Sequence, residues 1–119
     1  MKSIGQPPLL EGHNYGYWKS RMKAFLKVVD DKAWMAVEKG WTALTALDND
    51  GKVTDLPQDK WTEDHHEEVI GNSKAMNAIF SAVEENIFKL ISNYEVAKDA
   101  WDILLVAHEG TNKVRSQSL

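Results

Sequence analysis

Cysteine is absent from this chain, which excludes a disulfide scaffold, a thiol nucleophile and any cysteine-ligated zinc site. No apolar run approaches the roughly 18 residues that span a bilayer, so no membrane association is expected. The opening Met1-Lys2-Ser3-Ile4-Gly5-Gln6-Pro7-Pro8 lacks the apolar stretch and cleavage site of a secretory signal. These absences fit a reducing, cytoplasmic location.

Catalytic signatures are missing too. There is no glycine-rich phosphate loop, no Gly-x-Ser-x-Gly elbow and no Asp-Ser/Thr-Gly triplet. Of four histidines, only His65 and His66 stand in a ligand-rich cluster, His65-His66-Glu67-Glu68. Adjacent positions on a helix point about 100° apart, so the two imidazoles cannot grip one ion, and the remaining pairs offer two ligands at most. Asp48-Asn49-Asp50-Gly51 resembles the start of a calcium loop, but Leu56-Pro57 stands where acceptors are needed. No nucleophile, base and orienting group assemble. No enzymatic activity, cofactor or metal is expected.

What is present is the material of one domain: 119 residues, 43% hydrophobic, 27% charged, with five tryptophans. Net charge is −4, which disfavours strong nucleic-acid binding. The charge is uneven. Residues 1–47 carry seven Lys/Arg and four Asp/Glu (+3), whereas residues 48–119 carry seven and fourteen (−7). That polarity reflects either solvated faces or a head-to-tail contact between copies.

Residues 1–13 read as an extended lead-in, because Pro7-Pro8 removes two backbone donors and restrains Gln6; Leu9 and Leu10 offer an apolar foothold. From an Asn14 N-cap, Tyr15, Trp18, Met22, Phe25, Leu26 and Val29 recur at helical spacing. Lys19, Lys23 and Lys27 mark another face, either solvated or a basic strip for an acidic surface or an RNA backbone. A short second helix, capped by Asp30 or Asp31, carries Ala33, Trp34 and Val37 and stops at Gly40. Trp41, Leu44 and Leu47 suggest a further helical turn, and residues 48–59 a long loop. Thr62, followed by Glu63 and Asp64, opens a third helix with a stripe of Val69, Ser73, Met76, Ile79, Phe80 and Val83. A fourth short helix holds Ile87, Phe88, Leu90 and Ile91. A fifth starts near Glu95, buries Ala97, Ala100, Trp101, Leu104 and Leu105, and ends at Gly110. Residues 111–119 read as the opening of another helix. With no sustained two-residue alternation, the expected class is all-α, a bundle of about five helices over residues 14–110.

Two blocks resemble a known family. The first is Pro8-Leu9-Leu10-Glu11-Gly12-His13-Asn14-Tyr15-Gly16-Tyr17-Trp18-Lys19-Ser20-Arg21-Met22, with Phe25-Leu26 and Trp34-Met35-Ala36-Val37-Glu38-Lys39-Gly40 behind it. The second is Ala97-Lys98-Asp99-Ala100-Trp101-Asp102-Ile103-Leu104, with Glu109-Gly110-Thr111 and Val114-Arg115. In this order and spacing they are similar to the amino-terminal, capsid-like Gag region of plant copia-type LTR retrotransposon polyproteins. Two departures stand out. His108 occupies a place where the family usually has tyrosine, and the family's downstream Cys-Cys-His-Cys zinc knuckle is missing.

The resemblance implies a structural domain that self-associates into virus-like particles enclosing element RNA. Its partner would be itself, with RNA held through regions outside this chain and further helices expected after Leu119. The alternatives are a host-adapted peptide- or protein-binding module and an RNA-binding module using the basic amino-terminal part. The expected core is Tyr15, Trp18, Met22, Phe25, Trp34, Phe80, Trp101 and Leu104. The expected contact residues are Tyr17, Lys19, Lys23, Lys27, Trp41 and Trp61, the last two partly exposed at segment edges.

Overall fold

A computed structural model describes the backbone of residues 7–117 and side chains through Gly110; the rest of the expected lead-in (1–6) and residues 118–119 lie outside the described residues. The chain is mostly helical, with a small two-stranded sheet: α1 Tyr15–Val29, α2 Asp31–Lys39, β1 Thr45–Leu47, β2 Val53–Asp55, α3 Glu63–Ser81, α4 Glu85–Ile91 and α5 Ala97–Gln117.

The described part of the lead-in is tied down by its backbone. Leu10 is fully buried; its N–H donates to the Ala82 carbonyl at 2.7 Å, and its own carbonyl accepts from Glu84 N–H at 3.0 Å. This parallel bridge to the α3–α4 connection satisfies polar groups that burial would otherwise leave costly. Asn14 precedes α1 but does not cap it through its side chain. Its Oδ1 instead accepts from Glu11 N–H, and its Nδ2 donates to the Leu9 carbonyl, which folds the lead-in onto the helix start. Tyr15, Trp18, Met22 and Leu26 form the buried stripe of α1, while Phe25 is only partly buried against the core.

Asp30 caps α2 by accepting from Lys32 N–H at 2.9 Å, and Gly40 ends the helix at a φ of 88°. The helical turn expected over Trp41, Leu44 and Leu47 does not form. A hairpin takes its place, with Thr45 opposite Asp55, Ala46 opposite Thr54 and Leu47 opposite Val53. Most of the segment read as loop therefore belongs to the hairpin, and the class is helical with an added β element. The reason is turn chemistry: Asp48 Oδ1 accepts from the N–H groups of Asp50 and Lys52, both at 2.9 Å, and Gly51 supplies a φ of 79°. The Asp48 carboxylate, in the segment that resembles a calcium loop, is engaged with its own backbone. A single 3-10 turn at Gln58–Lys60 leads on to α3.

Thr62 and His65 form a reciprocal capping box: Thr62 Oγ1 accepts from His65 N–H at 3.2 Å, and His65 Nδ1 accepts from Thr62 N–H at 3.1 Å. The buried stripe of α3 is Gly71, Asn72, Ala75, Met76 and Ile79; it shares Met76 and Ile79 with the expected stripe but is rotated from it. Ser73 is exposed, Val69 and Phe80 are half-buried, and Val83 is buried but beyond the helix. Close packing decides the phase, since α3 lies most extensively on α2 and small residues allow the approach. Glu84 caps α4 by accepting from Ile87 N–H at 2.9 Å; Leu90 points outward, 49% exposed. In α5, Ala97, Ala100, Trp101 and Leu104 are buried and Leu105 is half-buried. Helical angles break at Gly110, with φ 76° and ψ 157°, and helix resumes to Gln117.

Candidate self-association surface

The two blocks at opposite ends of the sequence meet in the core. Trp18 is fully buried. It lies 5.6 Å from Trp101 between ring centroids, and its indole N–H donates to the Ala82 carbonyl at 3.0 Å. Trp34 meets Trp101 edge-on at 5.8 Å, and Tyr15 stacks nearly parallel on His108 at 4.9 Å. Such offset and edge contacts follow from the ring quadrupole and add to the area the rings bury. His108 is held by its Nδ1–H, which donates to the Leu104 carbonyl at 2.8 Å. The Tyr15 hydroxyl is buried with no hydrogen-bond partner among the described residues. Burial first, and then the carboxylates of Glu109 and Asp102, push its pKa far above the usual phenol value.

The expected core residues thus differ in depth. Tyr15, Trp18, Met22, Trp101 and Leu104 are buried, whereas Phe25, Trp34 and Phe80 pack against that cluster partly exposed. Trp34 is partly exposed, and lysines of α1 lie over its ring. Lys23 Nζ sits 5.4 Å and Lys27 Nζ 5.8 Å from its ring centroid, and Lys19 Nζ sits 5.9 Å from that of Tyr15. The basic strip of α1 is therefore neither plain solvent-facing helix nor a free cationic rail. Its stems run along aromatic surface and its charges rest over π-faces.

The six expected contact residues fall in two places. Tyr17 stands 63% exposed on the outer side of α1, the helix that also carries the three lysines. Trp41 and Trp61 sit by the hairpin and the start of α3. Trp61 donates its indole N–H to the Leu56 carbonyl at 3.1 Å and meets His66 edge-on at 5.0 Å. Trp41 lines a cleft of about 270 Å³ with Lys32, Met35, Lys39, Asp64 and Glu68; its Nε1 is buried and unpartnered among the described residues. His65 serves the cap and His66 the tryptophan, so the adjacent imidazoles diverge. Among the described residues no three His, Asp or Glu side chains cluster in a way that could hold a metal.

A third face of α1 escaped the sequence reading. Tyr17, Arg21, Ala24 and Val28 recur at i, i+4, i+7 and i+11 and are all exposed, Val28 by 66%. The signal was available: Val28 is an aliphatic residue out of phase with the core stripe. Comparison of the chain with protein-family models, curated proteins and solved structures returns no match. Among the described residues no helix is long and apolar enough to cross a membrane.

Proposed function

We propose that this chain is a non-enzymatic structural domain of capsid-like Gag type, whose copies associate into particles that enclose RNA. One observation carries most of the reading. The residues through which the chain resembles copia-type Gag are those that build its centre: Trp18 of the first block against Trp101 of the second, 5.6 Å apart. His108, where the family usually has tyrosine, still supplies a flat ring for Tyr15. A core of interlocked rings suits a shell subunit, which must stay rigid while many modest contacts are repeated by symmetry.

Light scattering and negative-stain microscopy over a concentration series test the proposal. One patch of ordinary size gives weak association, so the chain should be mainly monomer or dimer at low micromolar concentration. Larger species should grow in as concentration approaches about a millimolar, the range of weak contacts. A chain that stays strictly monomeric throughout is not a shell subunit. A second reading, a peptide-binding adaptor, is favoured by the cleft beside Trp41, with its buried unpartnered indole N–H. One tight peptide ligand on a monomeric chain would select it.

A further inference from the structure

We infer that the contact between copies is head-to-tail: the outer face of α1 in one copy docks on the amino-terminal half of α3 in the next. The inference rests on the self-association reading and names the surfaces that would carry it.

The outer face of α1 offers exposed apolar contact area from Tyr17 and Val28, with the small Ala24 between them and Arg21 beside it. An exposed aromatic and an exposed aliphatic residue separated by a small one suit a helix docking at close range. The charge of this helix restricts what can dock. It contains Lys19, Arg21, Lys23 and Lys27 and no acidic residue. Two such helices brought together by a two-fold axis would set Arg21 against its own copy, with three further cations and no carboxylate on each helix to offset it. A second α1 is thus a poor occupant, because like charges juxtaposed across an interface cost several kcal/mol in general.

The start of α3 is the mirror case. Glu63, Asp64, Glu67 and Glu68 lie within its first six residues with no Lys or Arg among them. Asp64 and Glu68 face the cleft they share with Lys32 and Lys39. Glu63, Glu67 and Ile70 follow the i, i+4, i+7 spacing of the neighbouring face, and all three are exposed, Ile70 by 50%. This face therefore pairs carboxylates with an exposed aliphatic residue, as the α1 face pairs Arg21 with exposed apolar residues. The 17, 21, 24 spacing of the one helix matches the 63, 67, 70 spacing of the other. Two α3 faces would repel, so each surface is complementary only to the other kind. Because the two surfaces differ, the contact is heterologous: one copy offers α1, accepts on α3, and leaves a free surface at each end. Repetition then yields a ring or an open array rather than a closed pair. Among the described residues the two ion pairs formed within the chain, Lys74–Asp30 and Lys98–Asp102, use none of the charges of either face.

The test uses charge reversal and mixing. Arg21→Glu makes both faces acidic, and Glu63→Lys with Glu67→Lys makes both basic. Sedimentation velocity of the whole chain should show each variant associating at least about tenfold more weakly than the parent. An equimolar mixture should associate again, because each variant's α1 then meets an α3 of opposite sign. Recovery on mixing also shows that both variants are folded. Parent association should weaken as salt shortens the Debye length from about 10 Å toward 3 Å. If the parent associates and both variants associate equally well, or if the mixture fails to recover, the head-to-tail contact is wrong while self-association stands. If the parent never associates, both fall. A monomeric parent that binds single-stranded RNA through Arg21 overturns the contact in favour of nucleic acid.

Discussion

Gly71 and Lys32 bring α3 and α2 into backbone contact: a β-carbon on Gly71 would lie 2.8 Å from the Lys32 carbonyl oxygen. No flexible side chain can yield there, since the nearest atoms are main chain. Gly71→Ala should destabilise by about 1–3 kcal/mol through overpacking, outweighing the gain of up to about 1 kcal/mol from better helix propensity. Gly16→Ala in α1, where a β-carbon meets nothing within 4 Å, should be neutral or mildly stabilising. Urea melts of the two variants check the contrast; equal midpoints would remove the close contact from the account.

Asn72 fastens the turn before α5 to α3. Its Nδ2 donates to the Glu95 carbonyl and its Oδ1 accepts from Ala97 N–H, both at 2.8 Å, and the residue is only 5% exposed. Asn72→Ala strands a donor and an acceptor, for an expected loss of roughly 2–4 kcal/mol. Hydrogen exchange at Ala97 should accelerate more than at Trp18. Protection retained at Ala97 would mean that another group replaces the amide.

The tryptophans should rank by depth. Trp18→Ala and Trp101→Ala remove buried rings and should each cost about 3–5 kcal/mol, a large share of the roughly 5–15 kcal/mol that holds a domain. Trp34→Ala should cost less, since that ring is partly exposed, and it also frees Lys23 and Lys27 from their π-face. Trp18→Phe keeps a ring but loses the bond to the Ala82 carbonyl, so it should fall between. Thermal melts giving the opposite order would relocate the centre of the core.

Asp30 links stability to pH. The Lys74 ammonium, bonded to its carboxylate at 2.9 Å, and then the Lys32 backbone N–H, hold its pKa below the ordinary carboxylate value. A folded-state pKa lower than the unfolded one adds stability above the unfolded pKa of about 3.9. That stability is lost as pH falls through the folded value. Lys74→Met should raise the Asp30 pKa, read by NMR of its carboxyl carbon. It should also lower the melting point at neutral pH more than in acid strong enough to protonate the Asp30 carboxylate in the folded chain. An unmoved Asp30 titration would show that the ion pair does not form in solution.

Residues that reveal themselves by local chemistry were legible in the sequence. The apolar stripe of α1 is set by 3.6-residue periodicity, and Asp30, Gly40, Thr62 and Gly110 mark ends because capping and positive φ are local demands. Tertiary structure decided the rest. Gly71, Asn72 and Ala75 are buried for lack of bulk or for two hydrogen bonds, so hydrophobicity found Met76 and Ile79 but missed the rest of the buried face of α3. The hairpin stayed hidden because its strands span three residues each and are mostly exposed; the Asp48 turn, and not a burial pattern, pairs them. The outer face of α1 needed the fold as well. A helix has one stripe for its own core, and only packing tells whether Tyr17 and Val28 are covered by the chain itself or left exposed.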